Sequence, residues 1–156
     1  MYIVNTETGD RVEVVIEPMQ KKDYNAVAQS KRYPNFNWKL ERRNTVFKLH
    51  TNQSEDILGL LSIEYFKKEQ YIKINLIQTS KENVGKNKHY DRIAGCLIAY
   101  ACRLSFIAGY GGCVALQPKT KIAQHYMKKY KFSLGGLHLF VELEEAEELI
   151  EDYLND

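Results

Sequence analysis

Between Tyr71 and Thr79 the chain alternates, with Ile72, Ile74 and Leu76 on one side and Tyr71, Lys73 and Asn75 on the other. This is the two-residue period of a strand with one buried face. The segment from Ser80 to His89 has no apolar period, and its Lys81, Lys86, Lys88, Asn83, Gly85 and Asn87 read as a solvated basic loop. From Ile93 the apolar residues return every three or four positions, at Ile93, Leu97, Tyr100 or Ala101, Leu104 and Ile107, which predicts a helix. Ala94, Gly95, Cys96, Ala99, Ala101 and Cys102 give that helix a thin wall for close packing on a sheet, and Gly109 with Gly111 and Gly112 ends it. Residues 113–116 then read as a short buried strand. The turn Pro118-Lys119-Thr120 offers Thr120 as the N-cap of a helix over 121–130.

The flanking segments predict an α+β chain. Residues 11–17 form a strand, Pro18 and Met19 turn into a helix over 21–31 with Tyr24, Val27 and Ala28 inward, and 45–50 pairs with 57–66 around the polar turn 51–56. A late strand spans Leu137 to Leu143. Residues 144–154 form a short helix with Ala146, Leu149, Ile150, Tyr153 and Leu154 on one side and acids on the other, serving as a packing element or a partner surface.

Composition adds limits. A chain of 156 residues with 44% apolar content is expected to be one domain with a full core, 1–156. No apolar run approaches a membrane span, and the N-terminus lacks a basic-then-apolar leader pattern, so a cytoplasmic location with no membrane partner is expected. Cys96, Cys102 and Cys113 lie in apolar contexts without metal-site spacing and read as free thiols. The four histidines form no ligand pair, so no metal site is expected. The net charge of +2 is unevenly spread: residues 21–48 carry eight Lys or Arg against two acids, and 133–156 carry eight acids and no Lys or Arg.

A strand, a basic loop and a helix N-terminus in succession make an anion site, because unpaired backbone N–H groups and the positive end of the helix dipole converge there. Lys86, Lys88, His89 and Arg92 lie in or beside that turn.

The hexad His89-Tyr90-Asp91-Arg92-Ile93-Ala94, continuing Gly95-Cys96-Leu97-Ile98, resembles the acetyl-coenzyme A motif of the GNAT superfamily of N-acetyltransferases, Gln/Arg-x-x-Gly-x-Gly/Ala. The resemblance implies a mixed, mostly antiparallel sheet of six to seven strands with a central splayed parallel pair, flanked by helices and extended by the C-terminal helix. It implies acetyl-CoA as cosubstrate, with the pantetheine arm along the backbone of Leu76, Ile77 and Gln78 and the pyrophosphate on the backbone of His89 to Gly95. Arg92 stands where the family has a glycine, which requires its backbone to stay right-handed and its side chain to swing outward, onto the phosphate. A second stretch, Thr120 to Phe132, is similar to the family's later helix. Ala123 and Phe132 keep the family spacing, Thr120 replaces an Asn beside the cofactor and Lys131 replaces a Gly. Strict spacing puts Met127 on the tyrosine that protonates the leaving thiolate, one place after Tyr126. Adjacent helical residues point about 100° apart, so either the entry slips by one and Tyr126 is the acid, or the chain lacks this acid. The architecture covers roughly residues 11–143, and these two motifs carry its specificity.

In the GNAT layout residues 21–48 overhang the acceptor groove, so Arg32, Tyr33, Phe36 and Trp38 are the candidate substrate-binding residues. A basic, aromatic rim suits an anionic or nucleic-acid-linked amine, and the competing reading is a solvated basic face with Phe36 and Trp38 packed beneath it. Glu64 is the candidate base for the acceptor amine, with Asn75 orienting a water. The sequence thus supports an N-acetyltransferase acting on a small-molecule, protein or tRNA-linked amine. Two alternatives stand beside it: a catalytically weak GNAT-fold binding or regulatory protein, and a nucleic-acid-associated domain using 21–48. The late strand and acidic helix also offer an edge for a homodimer.

Overall fold

The computed structural model describes residues 1–117, 120–136 and 138–155, with the backbone alone for 120–124. Among these, the chain runs β1 (Tyr2–Asn5), β2 (Arg11–Pro18), α1 (Lys21–Ser30), β3 (Thr45–Thr51), β4 (Ile57–Phe66), β5 (Tyr71–Thr79), β6 (Tyr90–Asp91), α2 (Ile93–Ile107), β7 (Val114–Leu116), α3 (Thr120–Lys129), β8 (Ser133–Gly135), β9 (His138–Val141) and α4 (Leu143–Tyr153). Short 3-10 turns occupy Trp38–Arg43 and Lys81–Asn83. The strands form one sheet in the order β6-β1-β2-β3-β4-β5-β7-β9-β8. Every pairing is antiparallel except that of β5 with β7. The sheet has nine strands where six to seven were expected, because β1, β6 and β8 are too short to show an alternating pattern. No helix among the described residues is long and apolar enough to cross a membrane.

The sheet carries a core on each face. On one, Tyr24 and Val27 of α1 meet Trp38, Val46, Ile57 and Leu60. On the other, α2 packs Ile93, Leu97 and Ile98 against Leu49, Leu61, Ile63 and Ile72, and Ala146 and Leu149 of α4 close over α2. Sandwiched between sheet and α4, α2 is buried on more than one stripe, Ala99 and Cys102 included, which explains its thin wall. Close approach is visible at Gly59 of β4, where a Cβ would lie 2.7 Å from Ile93 Cγ2 and 3.0 Å from Leu97 Cδ1. The α2 helix stops at Gly109, which takes a φ of 85°.

Several expectations change. Ile107 is 76% exposed because α2 outruns the sheet at its last residue. Ala28 is exposed, and Asp23 takes the inward place on α1, accepting the Gln20 N–H at 2.7 Å and the buried Lys48 ammonium at 2.8 Å. The late strand ends at Val141 and α4 begins at Leu143. Leu137, Pro118 and Lys119 lie outside the described residues. Cys96 and Cys102 are buried, whereas Cys113 is half-buried. The acidic C-terminal helix is a packing element, lying along α2 rather than presenting its apolar side outward.

The basic segment 80–89 is built rather than merely solvated. Asn83 is buried, donates to Ser80 Oγ at 2.9 Å and accepts the Tyr90 N–H at 2.8 Å, closing the segment into a loop. Arg32 ties that loop to the rest of the fold, donating from Nε to Glu82 at 3.0 Å and from Nη1 to Asp56 at 2.6 Å. Burial pushes the Glu82 carboxyl up, and the hydrogen bonds from Arg32 outweigh it and hold the group down at about 2.

Two outcomes are expected. Gly59→Ala forces a methyl group into Ile93 and Leu97 and lowers stability by about 1–3 kcal/mol, measured by urea denaturation. A carboxyl held low stabilises the fold above its unfolded value of roughly 4.3 and loses that contribution as pH falls through its folded value. In an NMR titration Glu82 should therefore stay ionised until about pH 2. In Arg32→Ala it should titrate at or above the ordinary carboxylate range, and the onset of acid unfolding should move to higher pH.

Candidate functional site

The site begins with a defect in β5. Its parallel pairing with β7 stops after Ile74↔Leu116, while its pairing with β4 continues to Thr79. On the β4 side Ser62 faces Leu76 and the next residue, Ile63, faces Ile74, which leaves Asn75 as an extra residue in the ladder. A bulge of this kind bends its strand and sharpens the local twist. Here it falls one residue after the last β5–β7 pair. Residues 75–79 continue beside β4 with no β7 residue in register, which leaves a gap in the sheet beyond Leu116 faced by one backbone edge of β5.

The N-terminus of α2 lies at the mouth of this gap. The Cys96 N–H makes the first helical bond, to the Arg92 carbonyl at 2.9 Å, so the N–H groups of Ile93, Ala94 and Gly95 have no acceptor within the helix. Arg92 is the N-cap with φ 85° and ψ −1°, the left-handed conformation. The sequence expectation of a right-handed Arg92 reaching for phosphate is thus reversed on both counts. Its guanidinium turns away from the groove and stacks 4.1 Å from the Tyr2 ring centroid and 4.7 Å from that of Tyr153. It donates to the Tyr2 carbonyl at 3.2 Å and to Asp152 O, in the last turn of α4, at 2.8 Å. A left-handed non-glycine residue costs about 1–2 kcal/mol. Two cation–π contacts at roughly 0.5–2 kcal/mol each offset that strain. Gly95 has its own reason to be glycine: a Cβ there would lie 2.1 Å from Tyr153 Cε1, so its bare Cα admits the ring rather than a phosphate.

Two adjoining cavities form one groove along these elements. The first, about 510 Å³, is lined by Ile77, Gln78 and Thr79 of β5 with Pro34, Asn35 and Lys81. The second, about 440 Å³, surrounds the α2 N-terminus with Lys88, Tyr90, Asp91, Ile93, His125, Lys129 and Tyr130. Thr79, Val84, Ala94 and Tyr126 line both. Asp91 stands in the second cavity, 2.9 Å from the Lys88 ammonium, and accepts the Arg92 N–H at 2.9 Å. Burial raises its carboxyl, but these donors prevail and keep it below the ordinary value. Lys88, Lys129 and the α2 dipole supply the positive field around it.

Tyr126 is half-buried and held by Tyr130 at 5.7 Å and Phe132 at 6.1 Å between ring centroids. Burial pushes its phenol up, so at neutral pH it is a proton donor. Met127 packs half-buried against the core. Of the two neighbours, the groove is lined by Tyr126.

The other expected residues scatter. Ile77, Gln78, Tyr90, Asp91, Arg92, Ile93 and Ala94 line the groove, whereas Leu76 packs toward Trp38 on the α1 face. His89 lies in a neighbouring cavity with Asn5, Thr6 and Lys86 that shares Lys88 and Tyr90 with the second, its carbonyl accepting the Thr6 N–H at 2.9 Å. The Thr120 side chain lies outside what is described. Glu64 is exposed on the α1 face, accepts from Asn75 Nδ2 at 3.3 Å, and lines a different cavity with Glu41, Arg43, Asn44 and Asn75. The expected substrate rim largely dissolves. Trp38 is 3% exposed and donates its indole N–H to Gln78 at 2.8 Å, Tyr33 is buried and donates to the Ile57 carbonyl at 2.7 Å, and Arg32 is committed to Glu82 and Asp56. Phe36 alone of the four is exposed, at 43%. Lys129, His125, Val84 and Asn83 were not singled out from sequence. The signal was present for Lys129, which follows Tyr126 by three positions and so shares its helix face.

No protein-family model matches the sequence, and no curated protein sequence does. Solved structures do match. A spermidine N-acetyltransferase from Vibrio cholerae in complex with CoA and spermine aligns with a TM-score of 0.64 at 14% identity, over 86% of this chain and 98% of that one. A ribosomal-protein-alanine N-acetyltransferase from Escherichia coli aligns with a TM-score of 0.61 at 10% identity, over 83% and 94%. A GNAT family acetyltransferase from Brucella melitensis in complex with acetyl-CoA gives 0.59 at 11%, over 83% and 88%. With the gap beside β5 and the α2 N-terminus at its mouth, these alignments establish that the chain has the GNAT fold.

Proposed function

We propose that the chain is an N-acetyltransferase that moves the acetyl group of acetyl-CoA to a primary amine within a ternary complex. The observation that carries this reading is the continuous groove from the free edge of β5 to the α2 N-terminus, with Tyr126 lining both halves. Acetyl-CoA supplies an activated thioester acetyl group; the residues of this chain supply position and proton transfer. The N–H groups of Ile93 and Ala94, with Lys88 and Lys129, suit a diphosphate. The open backbone edge of residues 75–79 suits the amides of an extended pantetheine arm. At the end of the reaction Tyr126 gives its phenolic proton to the departing sulfur, and the proton lost by the amine passes through a water oriented by Asn75 to the Glu64 carboxylate.

Of the eight basic residues in 21–48, Arg32 is committed to Glu82 and Asp56, Lys48 to Asp23 and Arg42 to the Tyr24 ring, while Lys21, Lys22, Lys31, Lys39 and Arg43 are exposed and keep a basic rim suited to an anionic or nucleic-acid-linked amine. A second reading, a GNAT-fold binding protein without turnover, draws on Asp91 inside the phosphate-sized cavity and on Glu64 and Tyr126 lining different cavities.

Isothermal titration with acetyl-CoA and CoA is expected to give micromolar binding. Lys129→Glu should weaken it roughly 10-fold, the weight of one charge-assisted hydrogen bond. In an amine-acceptor screen Tyr126→Phe should lower kcat about 100-fold while CoA affinity is kept. Absence of turnover on any amine would favour the second reading, and no CoA binding to folded protein would overturn the first.

A further inference from the structure

Two positions where GNAT proteins carry glycine hold charged residues here, and both keep a left-handed backbone, Arg92 at φ 85° and Lys131 at φ 61°. Both side chains reach the same element. Arg92 stacks on Tyr153 and donates to the Asp152 carbonyl, and Lys131 pairs with Glu148, all on α4. Tyr153 also fills the space over Gly95, in the first turn of α2, and its carbonyl lies 3.8 Å from Cys96 Sγ. The last turn of α4 therefore touches three residues around the start of α2, Arg92 by its side chain, Gly95 by its missing Cβ and Cys96 by its thiol.

We infer that Tyr153 is a positioning residue for the anion cradle: its ring, stacked on the Arg92 guanidinium and seated on Gly95, holds Arg92 in the left-handed conformation that turns the Ile93 and Ala94 N–H groups into the groove. The ring lies behind the first turn and outside the groove lining, so it acts through Arg92 rather than by touching a ligand. A glycine would adopt this conformation unaided. With arginine the conformation depends on what the guanidinium is bound to, which makes diphosphate affinity a function of α4 docking. The coupling is local and physical: one residue with two backbone states, biased by the helix behind it. Tyr2 of β1 is the second wall of the same stack and shares the load, itself faced by Arg11 at 4.2 Å.

This inference rests on the cofactor reading above, and the test separates the two. Tyr153→Leu keeps apolar bulk over Gly95 and removes the ring face that Arg92 needs, while Tyr153→Phe keeps the ring. CoA affinity is measured for both variants in the Arg92 chain and again in the Arg92→Gly background, with thermal melts confirming folded protein. Tyr153→Leu is expected to weaken CoA binding by roughly 5- to 150-fold in the Arg92 chain, the usual range of a coupling. In the Arg92→Gly background its effect should shrink to about twofold, the limit of additive behaviour, and Tyr153→Phe should stay within that limit in both. Independently of any ligand, NMR couplings and backbone shifts of the unliganded protein should report a positive φ at Arg92 that is lost in Tyr153→Leu and kept in Tyr153→Phe. Equal losses of affinity in the two backgrounds, or a positive φ at Arg92 that survives Tyr153→Leu, would overturn the inference. Absence of CoA binding by the unmodified protein would instead overturn the cofactor reading, and the Arg92 backbone measurement would still decide the role of Tyr153.

Discussion

The stack of Tyr2, the Arg92 guanidinium and Tyr153 is the contact on which the working end of this molecule depends. It joins the first strand, the start of α2 and the last turn of α4, three elements more than fifty residues apart in sequence. Each partner has a physical reason to be there. The guanidinium is weakly hydrated and planar, so it lies well on aromatic faces, and its N–H groups satisfy carbonyls that a helix end leaves without partners. The positive charge also complements the negative end of the α4 dipole. Arginine thereby occupies a backbone conformation normally reserved for glycine without closing the groove, because its side chain is drawn behind the helix.

A second constraint shapes the other half of the groove. One extra residue in β5, Asn75, breaks the ladder with β4 just where β7 ends. Beyond that point the sheet has a gap beside β5, and the gap exposes backbone hydrogen-bonding groups that sheets otherwise satisfy internally. Gln78 then locks the far side, donating to the Pro34 carbonyl at 2.8 Å and accepting from Trp38. The side chain expected near the cofactor through its backbone thus has a separate structural task, fastening the 31–44 connection to β5. This is also why Trp38 and Tyr33 are core residues: their polar atoms are spent inside the fold.

The alternating 71–79 strand, the helix from Ile93, the glycine stop at Gly109 and the acidic amphipathic helix were all legible, since each is a repeating pattern over nine or more residues or a local punctuation. The short strands β1, β6 and β8 were not, because two to four residues cannot display a period. The hexad falls at the start of α2 as its pattern implied, but the backbone and side-chain direction expected of Arg92 are reversed. Spacing along the chain shows that Arg92 and Gly95 lie near a phosphate-sized cavity; it does not show which way a guanidinium points or which ring covers a glycine.

Sequence alone determined the class of fold, the order of its main elements and the place of the basic loop before α2, because helix and strand periodicity and the glycine and lysine distribution are local properties. Tertiary structure decided which residues line the groove, that Tyr126 rather than Met127 lines it, that Tyr33 and Trp38 are core, and that the Arg92 guanidinium packs behind α2. Those outcomes turn on which side of an element a neighbour packs. That is settled by contacts between residues far apart in the chain, such as Tyr153 on Gly95, Gln78 on Trp38 and Arg32 on Glu82, and no local pattern encodes them.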